Sequence, residues 1–217
     1  MKTDSQVQQD VSAELKWEPA VNAAQIGVEV KNGVVTLAGH VESFAEKWHA
    51  ERAAQRVAGV KALAVDIDVK LPGSTRRSDT DIATSVENAL KWTTFLPANA
   101  VKIMVEGGCV TLSGEVPWEY QRQMAAAAVR YLLGVTAVRN QVVIKPGVTS
   151  KGVKAEIEAA LKRRATADAH KISVEVHEGE VTLTGSAHSW LERDLARNSA
   201  WGTPGVRHVV DHITIAV

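Results

Sequence analysis

The chain has 217 residues, 45% of them hydrophobic and 23% charged, with 25 lysines and arginines balanced by 25 aspartates and glutamates. No apolar run approaches the roughly 18 residues of a membrane-spanning helix, and the balanced charge argues against a dedicated nucleic-acid binder, which needs a concentrated basic face. A single cysteine, Cys109, excludes intrachain disulfides and suits a reducing compartment.

The first helix is expected from Asp4, a short polar residue able to accept hydrogen bonds from free backbone amides, with Val7, Val11 and Leu15 stacked four apart on one side. Trp17 follows Leu15 by two residues and lies about 200° around the helix from it, off the apolar stripe. Ile26, Val28 and Val30 alternate and so share one face of a strand. Lys31-Asn32-Gly33 turns that strand into a second one, with Val35 and Leu37 inward and Thr36 outward, closed by Gly39 at a bulge or a close backbone approach. A second helix, rich in alanine at Ala50, Ala53 and Ala54, is expected from about Glu42 to Gly59. Leu63, Ile67 and Val69 then alternate on a third strand.

After the Pro-Gly linker of residues 71–78 the same succession returns. Asp79 opens a helix with Ile82, Val86 and Leu90, followed by Trp92 in the place of Trp17. Val101, Ile103 and Val105 form a strand, Gly108 begins the hairpin, Val110 and Leu112 face inward, and Gly114 closes. The second helix is expected from about Glu115 to Gly134, and Val138, Val142 and Ile144 form the last strand. A shorter Pro-Gly linker leads to a third copy. It runs from Ser150 through Val153, Ile157 and Leu161, Ile172 to Val176, Gly179 to Gly185, a helix from about Ser186 to Gly205, and Val209 to Ile215.

The phrase Gly-x-Val-Thr-Leu-x-Gly thus occurs three times, 75 and 71 residues apart, and a Gly-Val pair follows each copy at Gly59, Gly134 and Gly205. One unit has been triplicated. The pattern predicts an α+β protein of three tandem α-β-β-α-β repeats over residues 3–71, 78–146 and 149–217, each a three-stranded sheet with two helices on one face. Units of about 70 residues are near the lower limit for an independent core, and with short linkers this favours a compact assembly.

These motifs resemble the BON domain, named for bacterial osmotic-stress and nodulation proteins. The resemblance implies a non-catalytic module that binds phospholipid surfaces or envelope proteins. One lipid-binding member uses a BON helix and adjoining loops, and a BON-LysM member senses potassium in the cytoplasm. Familiar envelope members carry export signals, whereas this sequence enters its first helical pattern almost at once. A cytoplasmic, stress-linked role is therefore expected, with a periplasmic one the alternative if a leader has been removed.

No polar position recurs in all three copies except the strand threonines, which read as β-formers on the outer sheet face. Neither a phosphate-cradling loop nor a dinucleotide fingerprint occurs, so no catalytic residue and no cofactor is expected. Five of the seven histidines, His170, His177, His188, His208 and His212, fall in the third copy and read as solvated surface groups, not metal ligands. Trp17 and Trp92 are the candidate binding residues, and Arg163 holds their position in the third copy. Their off-stripe position favours burial between neighbouring repeats, with Arg163 able to stack on an indole of another repeat. An exposed patch meeting a membrane or a protein partner is the alternative. Lys151, Lys154, Lys162, Arg163 and Arg164 form the best basic candidate for anionic lipid headgroups, diluted by Glu156 and Glu158. A small cation such as potassium, bound between repeats by backbone carbonyls, is the competing ligand.

Overall fold

The computed structural model of the chain describes residues 2–144, 157, 159, 172–177, 179–203, 206 and 208–215. Helix α1 (Asp4–Trp17) begins at Thr3, whose hydroxyl accepts from the Gln6 amide while the Gln6 side chain accepts from the Thr3 amide. This reciprocal cap satisfies two otherwise free donors, so Asp4 is not the cap expected from the sequence. Its carboxylate instead accepts from the Asn32 and Gly33 amides of the hairpin turn, at 2.7 and 2.9 Å. Ser78 likewise caps α3 (Asp79–Lys91), and Asp79 accepts from the Gly107 and Gly108 amides, both at 2.9 Å. An aspartate just inside each helix therefore latches the helix to the hairpin of its own repeat. Ser150, the third position of this set, lies outside the described residues.

Strands β1 (Ile26–Lys31) and β2 (Val34–Val41) pair antiparallel, and β2 pairs parallel with β3 (Ala62–Val69) after the chain crosses through α2 (Phe44–Arg56). The succession recurs as β4 (Val101–Glu106), β5 (Cys109–Val116), α4 (Glu119–Arg130) and β6 (Ala137–Ile144). It recurs again as β7 (Ile172–His177), β8 (Glu180–Ala187), α5 (Trp190–Trp201) and β9 (His208–Ile215). The signature strand is central in each three-stranded sheet. Of the third repeat's first helix, Ile157 and Ala159 are described and are helical. The architecture is the α+β triple repeat expected from the sequence.

Each repeat has its own core. Val7, Val11 and Leu15 of α1 meet Val35 and Leu37 of β2 and the alanines Ala50, Ala53 and Ala54 of α2, whose small side chains let that helix lie close to the sheet. The second core repeats this with Ile82, Val86, Val110, Leu112 and Ala125, and the third with Ile157, Val181, Leu183, Ala196 and Ala200. Thr111 points outward as expected yet is only 8% exposed. Its cross-strand neighbours on that face, Met104 and Arg139, are long, whereas Thr36 is flanked by Glu29 and Ala64.

The second helices of the later repeats start after Glu115 and Ser186, at Glu119 and Trp190, because the strands run on to Val116 and Ala187. Gly114 and Gly185, at φ +129° and +123°, re-aim the strand without ending it, and the parallel pairing with β6 and β9 continues to Ile144 and Ile215. At Gly114 the backbones meet so closely that a Cβ would stand 2.1 Å from the Ala100 carbonyl oxygen, and Gly39 has the same relation to Gln25. These are the close approaches anticipated for the closing glycines. All the signature glycines that are described (Gly33, Gly39, Gly59, Gly108, Gly114, Gly134, Gly179 and Gly185) have positive φ, and Gly205 lies outside the described residues.

The repeats close on one another through their second helices. Phe44, the first residue of α2, packs against the core of the second repeat. Trp190, at the same place in α5, packs against the core of the first repeat, and its Nε1 donates to the Val60 carbonyl at 2.8 Å. The Arg122 guanidinium of α4 lies over the Trp201 ring at 5.4 Å and joins the second repeat to the third. Each repeat thus touches both others. The first repeat plugs into the second and the third back into the first, which is a cyclic relation and not an open string.

Candidate functional site

Trp17 and Trp92 end α1 and α3, and they are 82% and 86% exposed. Burial between repeats, the expectation for these side chains, does not occur. The described joints are built from the second helices, so an indole on the first helix that points away from its own core meets no neighbouring repeat among the described residues. Each follows a lysine, Lys16 and Lys91, the latter paired with Glu87 at 2.7 Å. The Trp17 end of α1 is fastened to α2 by Arg56, which donates to Glu18 at 2.8 Å and to Glu14 at 3.0 Å. The hydrogen bond from Arg56 holds the Glu18 carboxyl below its ordinary value of 4.5, against the opposing effect of desolvation. The basic candidates Lys151, Lys154, Lys162, Arg163 and Arg164 all lie outside the described residues.

A second feature, not singled out from the sequence, lies where the three second helices meet. Phe44, Glu119 and Trp190 occupy the same position in the three repeats, and the middle copy carries a carboxylate in place of an aromatic plug. Glu119 is 6% exposed; its Oε1 accepts from Arg122 at 2.7 Å, and its buried Oε2 lies 2.6 Å from the Arg122 Nε as an ion pair without a hydrogen bond. Beside it opens a cleft of about 710 Å³, lined by residues of all three repeats. On one side Arg130 of the second repeat lies 3.8 Å from the Trp48 ring centre of the first, and Arg52 lies 5.6 Å from the same ring. Arg52 reaches Asp194 of the third repeat at 2.7 Å, and Arg197 reaches the other oxygen of that carboxylate at 2.9 Å. Phe95 and Tyr120, also in the lining, meet edge to face at 6.2 Å. Aligning the three second helices would have exposed the odd Glu119, but the four arginines come from four different positions of the repeat, so their convergence leaves no mark in the sequence.

Among the described residues, no group of three or more His, Cys, Asp or Glu side chains is arranged to hold a metal ion, and no helix is long and apolar enough to cross a membrane. The family model for the BON domain matches residues 3–70, 78–146 and 149–217. The chain belongs to the BON family. This BON protein is similar to Osmotically-inducible protein Y of Escherichia coli (strain K12), at 31% identity over 146 residues, which span 65% of the chain and 73% of the relative. Among solved structures it aligns with CdsD, a structural protein of the type III secretion system of Chlamydia trachomatis, at 15% identity and a TM-score of 0.27, over 96% of this chain and 91% of that one. The periplasmic domain of PrgH from S. typhimurium aligns at 16% identity and a TM-score of 0.22, over 94% and 100%. Scores this low carry no argument about arrangement or function.

Proposed function

We propose that this BON protein is a non-enzymatic binding protein of the osmotic-stress response that docks on anionic phospholipid surfaces through Lys16-Trp17 and Lys91-Trp92. The observation that carries this reading is the near-complete exposure of two indoles at equivalent helix ends, each preceded by a lysine. An indole left in water gains by entering the headgroup region, where its apolar body and its N–H are both accommodated, and each lysine near an anionic leaflet adds about 1 kcal/mol. Lys162-Arg163 holds the equivalent place in the sequence of the third repeat. A cation sensor would need oxygens free to converge on an ion at a joint, and in the described cleft between repeats the carboxylates of Glu119 and Asp194 are already paired with arginines.

The test is vesicle flotation of the full chain with phosphatidylglycerol-containing and pure phosphatidylcholine vesicles. The wild-type protein is expected to float with the anionic vesicles, and the double variant Trp17→Ala/Trp92→Ala to lose about tenfold or more in apparent affinity. Absence of binding to either vesicle, or binding unchanged in the double variant, would contradict the reading.

A further inference from the structure

We infer that the cleft between the three second helices is a binding site for a small soluble anion bearing two or more phosphate or carboxylate groups. The cleft holds about 710 Å³, within the range of small-molecule sites, and no single repeat could form it. Four guanidiniums, those of Arg52, Arg122, Arg130 and Arg197, line it against two carboxylates, Glu119 and Asp194. Asp194 is shared between Arg52 and Arg197, and Glu119 is taken up by Arg122. Arg130 has no carboxylate partner among the described residues and rests only on the Trp48 face, which Arg52 also approaches.

Two like charges gathered at one indole repel each other in a partly desolvated cleft, and an oxyanion between them relieves that repulsion. The guanidinium of Arg130 presents a planar set of donors that fits a phosphate or carboxylate at two points. Phe95 and Tyr120, also in the lining, give the carbon body of such a ligand an apolar surface. The same joint has Glu119 where Phe44 and Trp190 supply an aromatic plug elsewhere, and Glu119 lines the cleft.

The experiment is calorimetric titration of the full chain with pyrophosphate and, separately, citrate, in buffer of matched ionic strength, with tryptophan fluorescence followed in parallel. Saturable binding of at least one probe is expected, with a change in indole emission, and the arm that binds more tightly identifies the preferred group. Arg130→Gln, which removes no ion pair, is expected to weaken binding about tenfold or more. Arg139→Gln, an exposed position on β6 outside the cleft, removes the same charge and is expected to leave binding unchanged. Should Arg130→Gln fail to fold, Arg197→Gln serves in its place, with the same expectation. The Trp17→Ala/Trp92→Ala protein is expected to keep anion binding, since neither indole lines the cleft. No saturable binding of either probe up to about 5 mM, or an equal loss in Arg139→Gln, would overturn the inference.

Discussion

Trp190→Ala is expected to uncouple the third repeat from the first. The indole is half-buried against the first repeat's core, and its Nε1 donates to the Val60 carbonyl at 2.8 Å, so truncation removes both an apolar plug and a hydrogen bond. Full burial of such a side chain would make the loss about 3–5 kcal/mol; half-burial brings it to roughly 2–3 kcal/mol, concentrated at one joint. Calorimetry is expected to show one unfolding transition in the wild type and a split one in the variant, with the third repeat melting first. Trp190→Phe keeps an aromatic plug, as Phe44 provides at the other joint, and loses the hydrogen bond and part of the ring system, so it is expected to cost about 1–2 kcal/mol and leave one transition. An unsplit transition at an unchanged temperature in Trp190→Ala would remove Trp190 from the joint.

Gly114→Ala is expected to be the most damaging single substitution in the second repeat. Its Cβ would stand 2.1 Å from the Ala100 oxygen, and φ of +129° is strained for any side chain. The carbonyl cannot step aside freely, because it accepts from the Glu115 amide at 3.3 Å. Relief requires separating β4 from β5, at a cost of about 3 kcal/mol or more, a large share of the stability of a unit this small. Gly39→Ala meets the Gln25 oxygen at the same distance and should behave alike in the first repeat. Gly73→Ala, in the linker with nothing within 4 Å of the added Cβ, is the control and is expected to be nearly neutral. Chemical denaturation of the three variants checks the order, and equal midpoints for Gly114→Ala and Gly73→Ala would contradict it.

The repeat itself was legible because its signals are local. Alternation at Ile26 to Val30, positive-φ glycine at Gly33 and the four-residue spacing of Val7, Val11 and Leu15 each depend on a few neighbouring residues. The helix starts were less so. Thr3 and Asp4 are both good caps, and the choice between them is made by the hairpin turn, which offers two amides to the aspartate from 28 and 29 residues away. At α4 the residue before the helix is Trp118, with no hydroxyl to mark it, and Gln121 closes the cap by accepting from the Trp118 amide. The joints were not legible at all. Phe44 and Trp190 share a position with Glu119, so the repeat pattern hides their common role, and the indoles that do repeat, Trp17 and Trp92, face solvent. The arginine cleft needs three helices from three repeats, and no single stretch of sequence contains it.

The closure of the three repeats underlies the joints and the cleft. Small-angle scattering of the intact chain tests it most directly. A closed assembly of this length is expected to have a radius of gyration of about 17 Å and a single-peaked distance distribution. A radius near 23 Å with a shouldered distribution, as for three separate 70-residue units in a row, would contradict it.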